Sequence, residues 1–211
     1  VRLQLIIGST RPGRAADKVI PWVTSQAALH PAFETEVLDL RDWQLPLFAE
    51  HMGSIGDPQD PTYTGDIVRR WNRKIAEADA YLILTPEYNH SIPGELKNAI
   101  DSVFASFAFR NKAMAFVGYS GGVGGGIRAI EHLNQVAVEV EAMPLRSTVI
   151  VPFVDSAFTA EGEPADPATA VSLQIALDDL AWWAAALHAA RAAGELMPGK
   201  VRARMAAAAP R

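Results

Sequence analysis

The chain contains no cysteine. Disulfides, thiolate nucleophiles and cysteine-ligated iron–sulfur clusters are therefore excluded. Histidine is sparse. His30, His51, His90, His132 and His188 form no HExxH and no paired spacing, so no metal is expected. The lysine of GxxxxGK[ST] is missing, and so is GxGxxG, which removes the nucleotide-triphosphate loop and the Rossmann dinucleotide fingerprint. An excess of positive charge is missing too. With 19 basic and 24 acidic residues the net charge is −5, which argues against nucleic acid as a partner and leaves no polybasic membrane patch. No uninterrupted apolar run approaches a membrane span, since the richest late stretch carries Asp178, Asp179 and His188. No signal peptide is read before the first apolar strand, and a cytoplasmic protein is the expectation.

What remains is globular. The 211 residues are 49% hydrophobic and 20% charged, enough for one domain with a sizeable core. That domain is placed at residues 1–197. The basic, alanine-rich stretch 198–211 is expected to be a disordered tail.

Apolar runs alternate with helical spacing. Leu3–Gly8 reads as a buried strand, and residues 15–29 as a helix despite Pro21. Phe33–Leu40 alternates as a second strand. An irregular stretch, 42–64, follows; loops of that length are often functional. Helical spacing resumes at Ile67, Trp71 and Ile75, with Thr64 a candidate cap. Ala80–Thr85 and Ala113–Tyr119 are further strands, with a helix at 94–104 between them. A helix runs from Ile127 through Val136, then a split fifth strand region over Val138–Met143 and Thr148–Val154. A long helix is expected at Ala170–Ala193. Strands separated by helices predict a doubly wound α/β fold, a five-stranded parallel sheet with helices on both faces. A ligand then sits beyond the carboxyl ends of the strands.

Three loops occupy that position. Gly8–Arg14, GSTRPGR, offers hydroxyls, two guanidiniums and backbone N–H groups to an anion. It equally describes a basic surface loop. Residues 86–98, PEYNHSIPGELKN, set Glu87, Tyr88 and Asn89 at a strand end. This suits stacking and edge hydrogen bonds to a planar heteroaromatic ring, or a capped helix start with a packed tyrosine. Glu87 is a candidate general base, or a partner for a nearby cation. GYSGGVGGG at 118–126 has six glycines in nine positions, which suits tight turns or close backbone approach to a flat ligand.

Together GSTRPGR at 8–14, PEYNHSIPGELKNAID at 86–101 and GYSGGVGG at 118–125 resemble the NADPH-dependent FMN reductase family. That family is flavodoxin-like and includes quinone, azo-dye and chromate reductases. The similarity runs to about Phe158. It implies that Ser9, Arg11 and Arg14 hold the FMN phosphate, and that Pro86, Glu87, Tyr88 and Asn89 border the isoalloxazine and ribityl chain. Ser120, Gly121 and Gly124 lie across the ring. Many relatives carry a small hydroxyl residue where Arg14 stands. Arg14 either replaces it with a charge-assisted contact or turns outward.

The resemblance further implies NADPH or NADH as donor and hydride transfer to FMN N5, with no catalytic side chain required. Electrons then pass to a quinone, azo compound, metal oxyanion or flavin. A homodimer or homotetramer is implied, with Val103, Phe104, Phe107 and Phe109 either partner-facing or core. Arg11, Arg14 and Arg110 are the candidates for a 2′-phosphate. His51, Met52 and His90 are rim candidates, and Trp43, Leu45, Leu47 and Phe48 are read mainly as core. The alternatives are a flavodoxin-like electron carrier, an FMN-binding sensor and a hydrolase using Glu87 or Asp101. Against the last, GxSxG is absent, and GYSGG around Ser120 is too open to read as that elbow.

Overall fold

The computed structural model describes residues 1–51, 53–56 and 63–208. Met52 and the side chain of Phe104 lie outside the described residues. β1 (Arg2–Ile7), β2 (Glu34–Asp39), β3 (Ala80–Pro86) and β4 (Ala113–Tyr119) are parallel, in the order β2-β1-β3-β4. The next position is filled by two short strands. β5 (Met143–Pro144) pairs with Ala113–Met114, and β6 (Val149–Val151) pairs with Val117–Tyr119. This is the flavodoxin-like doubly wound sheet, with its fifth position split.

The split falls later than the sequence suggests. Val138 and Glu139 belong to α5 (Ile127–Glu139) rather than to a strand. Their β-branched alternation loses to helix packing, in which Ile130, Leu133 and Ala137 are buried against the sheet. Pro144 has no N–H to continue the ladder. The Leu145 amide makes one more bond, to the Met114 carbonyl at 2.9 Å, before the chain leaves β4.

Strand alternation divides the core. Leu3, Leu5, Ile7, Leu82, Leu84, Val117 and Tyr119 face α1 (Ala16–Leu29) and α6 (Pro167–Ala193). Trp22 and Val23 of α1, and Leu177 and Leu180 of α6, fill that layer. Ile6, Tyr81, Ile83 and Phe116 face α3 (Asp66–Ala76), α4 (Gly94–Asp101) and α5. There Trp71 is fully buried, and its indole N–H donates to the Ala99 carbonyl at 2.8 Å. Each such side chain contributes roughly 1.5–3 kcal/mol relative to exposure.

The short helix α2 (Leu40–Trp43) follows β2 directly. Trp43 and Leu45 pack on the second core and Phe48 packs near Tyr63, but Leu47 is exposed. Thr64 does not cap α3. Gly65 is the N-cap, and the Thr64 amide and hydroxyl go to Glu50. Val103 and Phe109 are core, and Phe109 meets Tyr81 edge-on at 4.9 Å. Phe107 is half-buried.

α6 is long and apolar enough by composition to cross a membrane. Here it lies on the sheet through Leu173, Ala176, Leu177, Leu180 and Ala184. Its outer face leaves Trp182 exposed and Trp183 half-buried. Where the sequence suggests a frayed tail, Gly199–Ala208 is helix α7, and Lys200 reaches Glu139. Residues 209–211 lie outside the described residues.

Candidate cofactor site

The carboxyl ends of β1, β3 and β4 carry the three glycine- and proline-rich loops to one place. They enclose a cleft of about 480 Å³. Ser9, Arg11, Arg14, Pro86, Glu87, Tyr88, Ser120 and Gly121 line it. Asn89 stands exposed at a turn tip, and Gly124 lies behind Glu87.

The first loop is braced from below. Gly8 fits because a Cβ there would stand 2.9 Å from Leu96 and 3.0 Å from the Leu84 carbonyl. Arg14 is buried. It neither turns outward nor leaves a nitrogen idle. Nε donates to Asp17 at 2.8 Å, Nη1 to Asp39 at 2.7 Å and to the Ser9 carbonyl, and Nη2 to the other Asp39 oxygen. Burial opposes the guanidinium charge, but the bonds and charges of Asp39 and Asp17 outweigh it and hold its pKa above the usual range. Burial likewise opposes the two carboxylates, and Arg14 holds both below theirs. Arg14 thus ties the first loop to the end of β2.

Above this brace the cleft is open to an anion. α1 has Ala15 at its N-cap and no side-chain cap. The Asp17 and Lys18 amides turn back to the Arg14 and Ala15 carbonyls at 3.2 and 3.1 Å, which leaves the Ala15 and Ala16 amides at the cleft. Ser9 Oγ and the Tyr88 hydroxyl are 2.8 Å apart. The exposed Arg11 guanidinium lies 5.0 Å over the Tyr88 ring. Lys18 is paired to Asp155 at 2.7 Å.

The second loop turns tightly. The Tyr88 and Ser91 backbones exchange hydrogen bonds across Asn89 and His90, whose φ values are 49° and 73°. Both central residues are left-handed, the pattern of a two-residue hairpin turn, and asparagine tolerates it best. His90 is exposed at this tip, with its ring 6.2 Å from that of His132. Glu87 is anchored by Arg128 through Oε1. Its Oε2 is buried and has no partner.

The third loop uses its glycines in two ways. A Cβ at Gly126 (φ 89°) would stand 2.5 Å from the Tyr119 nitrogen, and one at Gly125 (φ 57°) would stand 2.9 Å from the Pro152 nitrogen. Those two serve the fold. Gly121 and Gly122 face open space, which leaves their backbone accessible. The Ser120 hydroxyl donates to the Gly122 carbonyl at 3.1 Å.

A second hollow of about 620 Å³ lies on the other side of the first loop. Thr10, Arg41, Gln44, Leu47, Glu95 and Asn98 line it. Gln44, Leu45 and Leu47 of the 42–64 stretch line this hollow. His51 is exposed and bonds the Gly53 amide at 3.1 Å. Arg110 is misplaced as a 2′-phosphate candidate. It precedes β4, at the opposite end of the sheet, and pairs with Glu141 and Glu195.

Residues 1–155 match the profile of the NADPH-dependent FMN reductases. The chain belongs to this family. It is 35% identical over 156 residues to an NAD(P)H-dependent FMN reductase of Pseudomonas aeruginosa, covering 72% of this chain and 80% of that one. It is 31% identical over 155 residues to an NAD(P)H-dependent FMN reductase of a Nectria species, covering 72% and 75%. Among solved structures it superposes on FerB, a flavoenzyme NAD(P)H:(acceptor) oxidoreductase from Paracoccus denitrificans. The TM-score is 0.70 at 26% identity, over 87% of this chain and 96% of that one. The family match ends at Asp155, so α6 and α7 lie beyond it.

Sequence reading missed Tyr119, Lys18 and Asp155 in the cleft, and Asp39 beneath it. Tyr119 closes β4 within the quoted GYSGG, but no spacing marked its ring as facing Ser9. Asp39 and Asp155 are distant in sequence from the basic residues they hold. Among the described residues no group of His, Asp and Glu is placed to hold a metal.

Proposed function

We propose that the protein is an FMN-dependent NAD(P)H oxidoreductase that reduces a small electron acceptor. The observation that carries this is Glu87 Oε2, a buried acceptor without a donor, beside a cleft built for an anion. A buried carboxylate oxygen left unpaired is costly, and a flavin ring offers an N–H to satisfy it. The residues present therefore fit FMN. FMN supplies the hydride-accepting N5 and the transfer of electrons onward.

In this reading Ser9, Arg11, Tyr88 and the Ala15 and Ala16 amides at the start of α1 bind the phosphate. Arg14 keeps their loop in place from behind. Pro86, Glu87, Tyr88 and Asn89 border the ring and ribityl chain. Ser120 and Gly121 lie across from them, where the Gly121 and Gly122 amides approach the ring, while Gly124 stands beside Glu87 rather than across the cleft from it. We assign the neighbouring hollow to the reduced nicotinamide or the acceptor, of quinone, azo, metal-oxyanion or flavin type. A homodimer or homotetramer and a cytoplasmic location go with this reading.

The test is a visible spectrum after incubation with FMN and desalting, followed by anaerobic NADPH and then NADH. Retained flavin that bleaches supports the reductase. Retained flavin that neither nucleotide bleaches makes the protein an electron carrier or sensor. Absence of retained flavin overturns the tight FMN site.

A further inference from the structure

The phosphate loop is short of free donors. Thr10 donates its hydroxyl to Glu95 at 3.2 Å, Lys18 pairs with Asp155, and every Arg14 nitrogen already donates. A phosphate has only acceptors to offer, so the cleft depends on Ser9, Tyr88, Arg11 and backbone N–H groups. Ser9 and Tyr88 spend one of their two protons on each other, at 2.8 Å.

Tyr119 stands behind this pair. It is the last residue of β4, in register with Pro86 of β3, and its ring fills the core layer shared with α1 and α6. It is 1% exposed, and its hydroxyl has no hydrogen-bond partner. That hydroxyl lies beside Ser9, and within electrostatic reach of Tyr88 and Arg14, without completing a bond to Ser9. A buried hydroxyl with no partner is rare and costs about 1–3 kcal/mol. Tyr119 and Ser9 are each 1% exposed in the wall of the same cleft, and Ser9 is the neighbouring side chain able to accept the Tyr119 proton.

We propose that Tyr119 is a positioning residue that orients the Ser9–Tyr88 hydroxyl pair, and that it thereby makes the cleft selective for the phosphorylated flavin. This rests on the FMN reading above. Tyr119 donates to Ser9 Oγ. The Ser9 proton then points into the cleft, and Tyr88, released from Ser9, donates there as well. Three hydroxyls from the ends of β1, β3 and β4 thus present two donors to the phosphate instead of one. Burial raises the Tyr119 pKa, so the phenol keeps its proton at working pH.

The test is Tyr119→Phe, which removes only the unpartnered oxygen. Flavin-free protein is titrated with FMN and, separately, with riboflavin, which lacks the phosphate, following flavin fluorescence. The expected result is FMN affinity lowered about tenfold, the scale of one hydrogen bond to a charged group, with riboflavin affinity unchanged. Ser9→Ala should lose the same preference for FMN, and adding Tyr119→Phe to it should change nothing further. If Tyr119→Phe does not fold, Tyr119→Met takes its place, with the same loss confined to FMN expected. Equal losses for both flavins, or none for either, overturn the relay while leaving the FMN site standing. A native protein that binds neither flavin overturns both.

Discussion

At the amino ends of the strands, Asp79 accepts from the Arg2 amide at 3.0 Å, from His188 at 2.7 Å and from Arg191 at 2.8 Å. At the carboxyl ends, Glu87 Oε2 and the Tyr119 hydroxyl are buried with no partner. The first cluster fastens the end of α6 to β3. Arg110 with Glu141 and Glu195 continues the fastening toward α7. The second leaves bonding capacity unspent. The Asp79 cluster is closed and the carboxyl-end cluster is not, and the reading proposed above puts the ligand at the second. Gln4 Oε1, within β1, is a further buried oxygen without a partner. The closed brace of Arg14 with Asp17 and Asp39 lies at the open end and underpins it.

The largest effect is expected from cutting that brace. Arg14→Met leaves Asp39 partly buried without its cation and should cost about 3–5 kcal/mol, with loss of FMN retention. Arg191→Met at the other end should lower the melting temperature by less and leave FMN affinity unchanged. Equal FMN affinity in both variants would erase the contrast between the ends. Next comes Gly126→Ala, which forces a Cβ against the Tyr119 nitrogen in a left-handed backbone. Denaturant unfolding should show a loss of about 2–3 kcal/mol.

A smaller effect concerns Lys112 at the amino end. Its ammonium meets the Ile75 and Ala76 carbonyls of α3 and the Tyr81 hydroxyl, and Asp79, Arg191 and Glu195 act on it electrostatically. Burial, with the Arg191 charge, lowers its pKa to about 7. The unfolded value is about 10.4, so between these values the unfolded chain binds the extra proton and stability rises with pH. Lys112→Met should flatten this rise, comparing more favourably with the native protein at pH 6 than at pH 9 in thermal melts. A pH-independent difference would refute it. The smallest effect is Gly121→Ala, with nothing within 4 Å of the added methyl. Stability should move by no more than about 0.5 kcal/mol, while FMN affinity falls.

Periodicity made β1, β3, β4 and the long helix legible, because buried parallel strands and amphipathic helices write their pattern locally. The three loops were legible for a related reason, since glycine and proline mark where the chain must turn. Arg14 was not. Its residue type suited an anion, but its partner Asp39 lies 25 positions away and is brought close only by β1–β2 pairing. Glu87 likewise finds Arg128 only once β3 and β4 are adjacent. Tyr119 read as one more strand residue, because an unpartnered hydroxyl is a property of the packed interior and has no local sign.

The break at Pro144 has a consequence for life in a crowded solution. A sheet margin is a template on which another chain can lay down a strand. Here one margin is cut into runs of two and three residues, offset from each other by the missing stretch. The other margin, β2, carries Glu34, Glu36 and Asp39 along six residues. Neither border offers a long neutral ladder, so the sheet resists being extended by its neighbours.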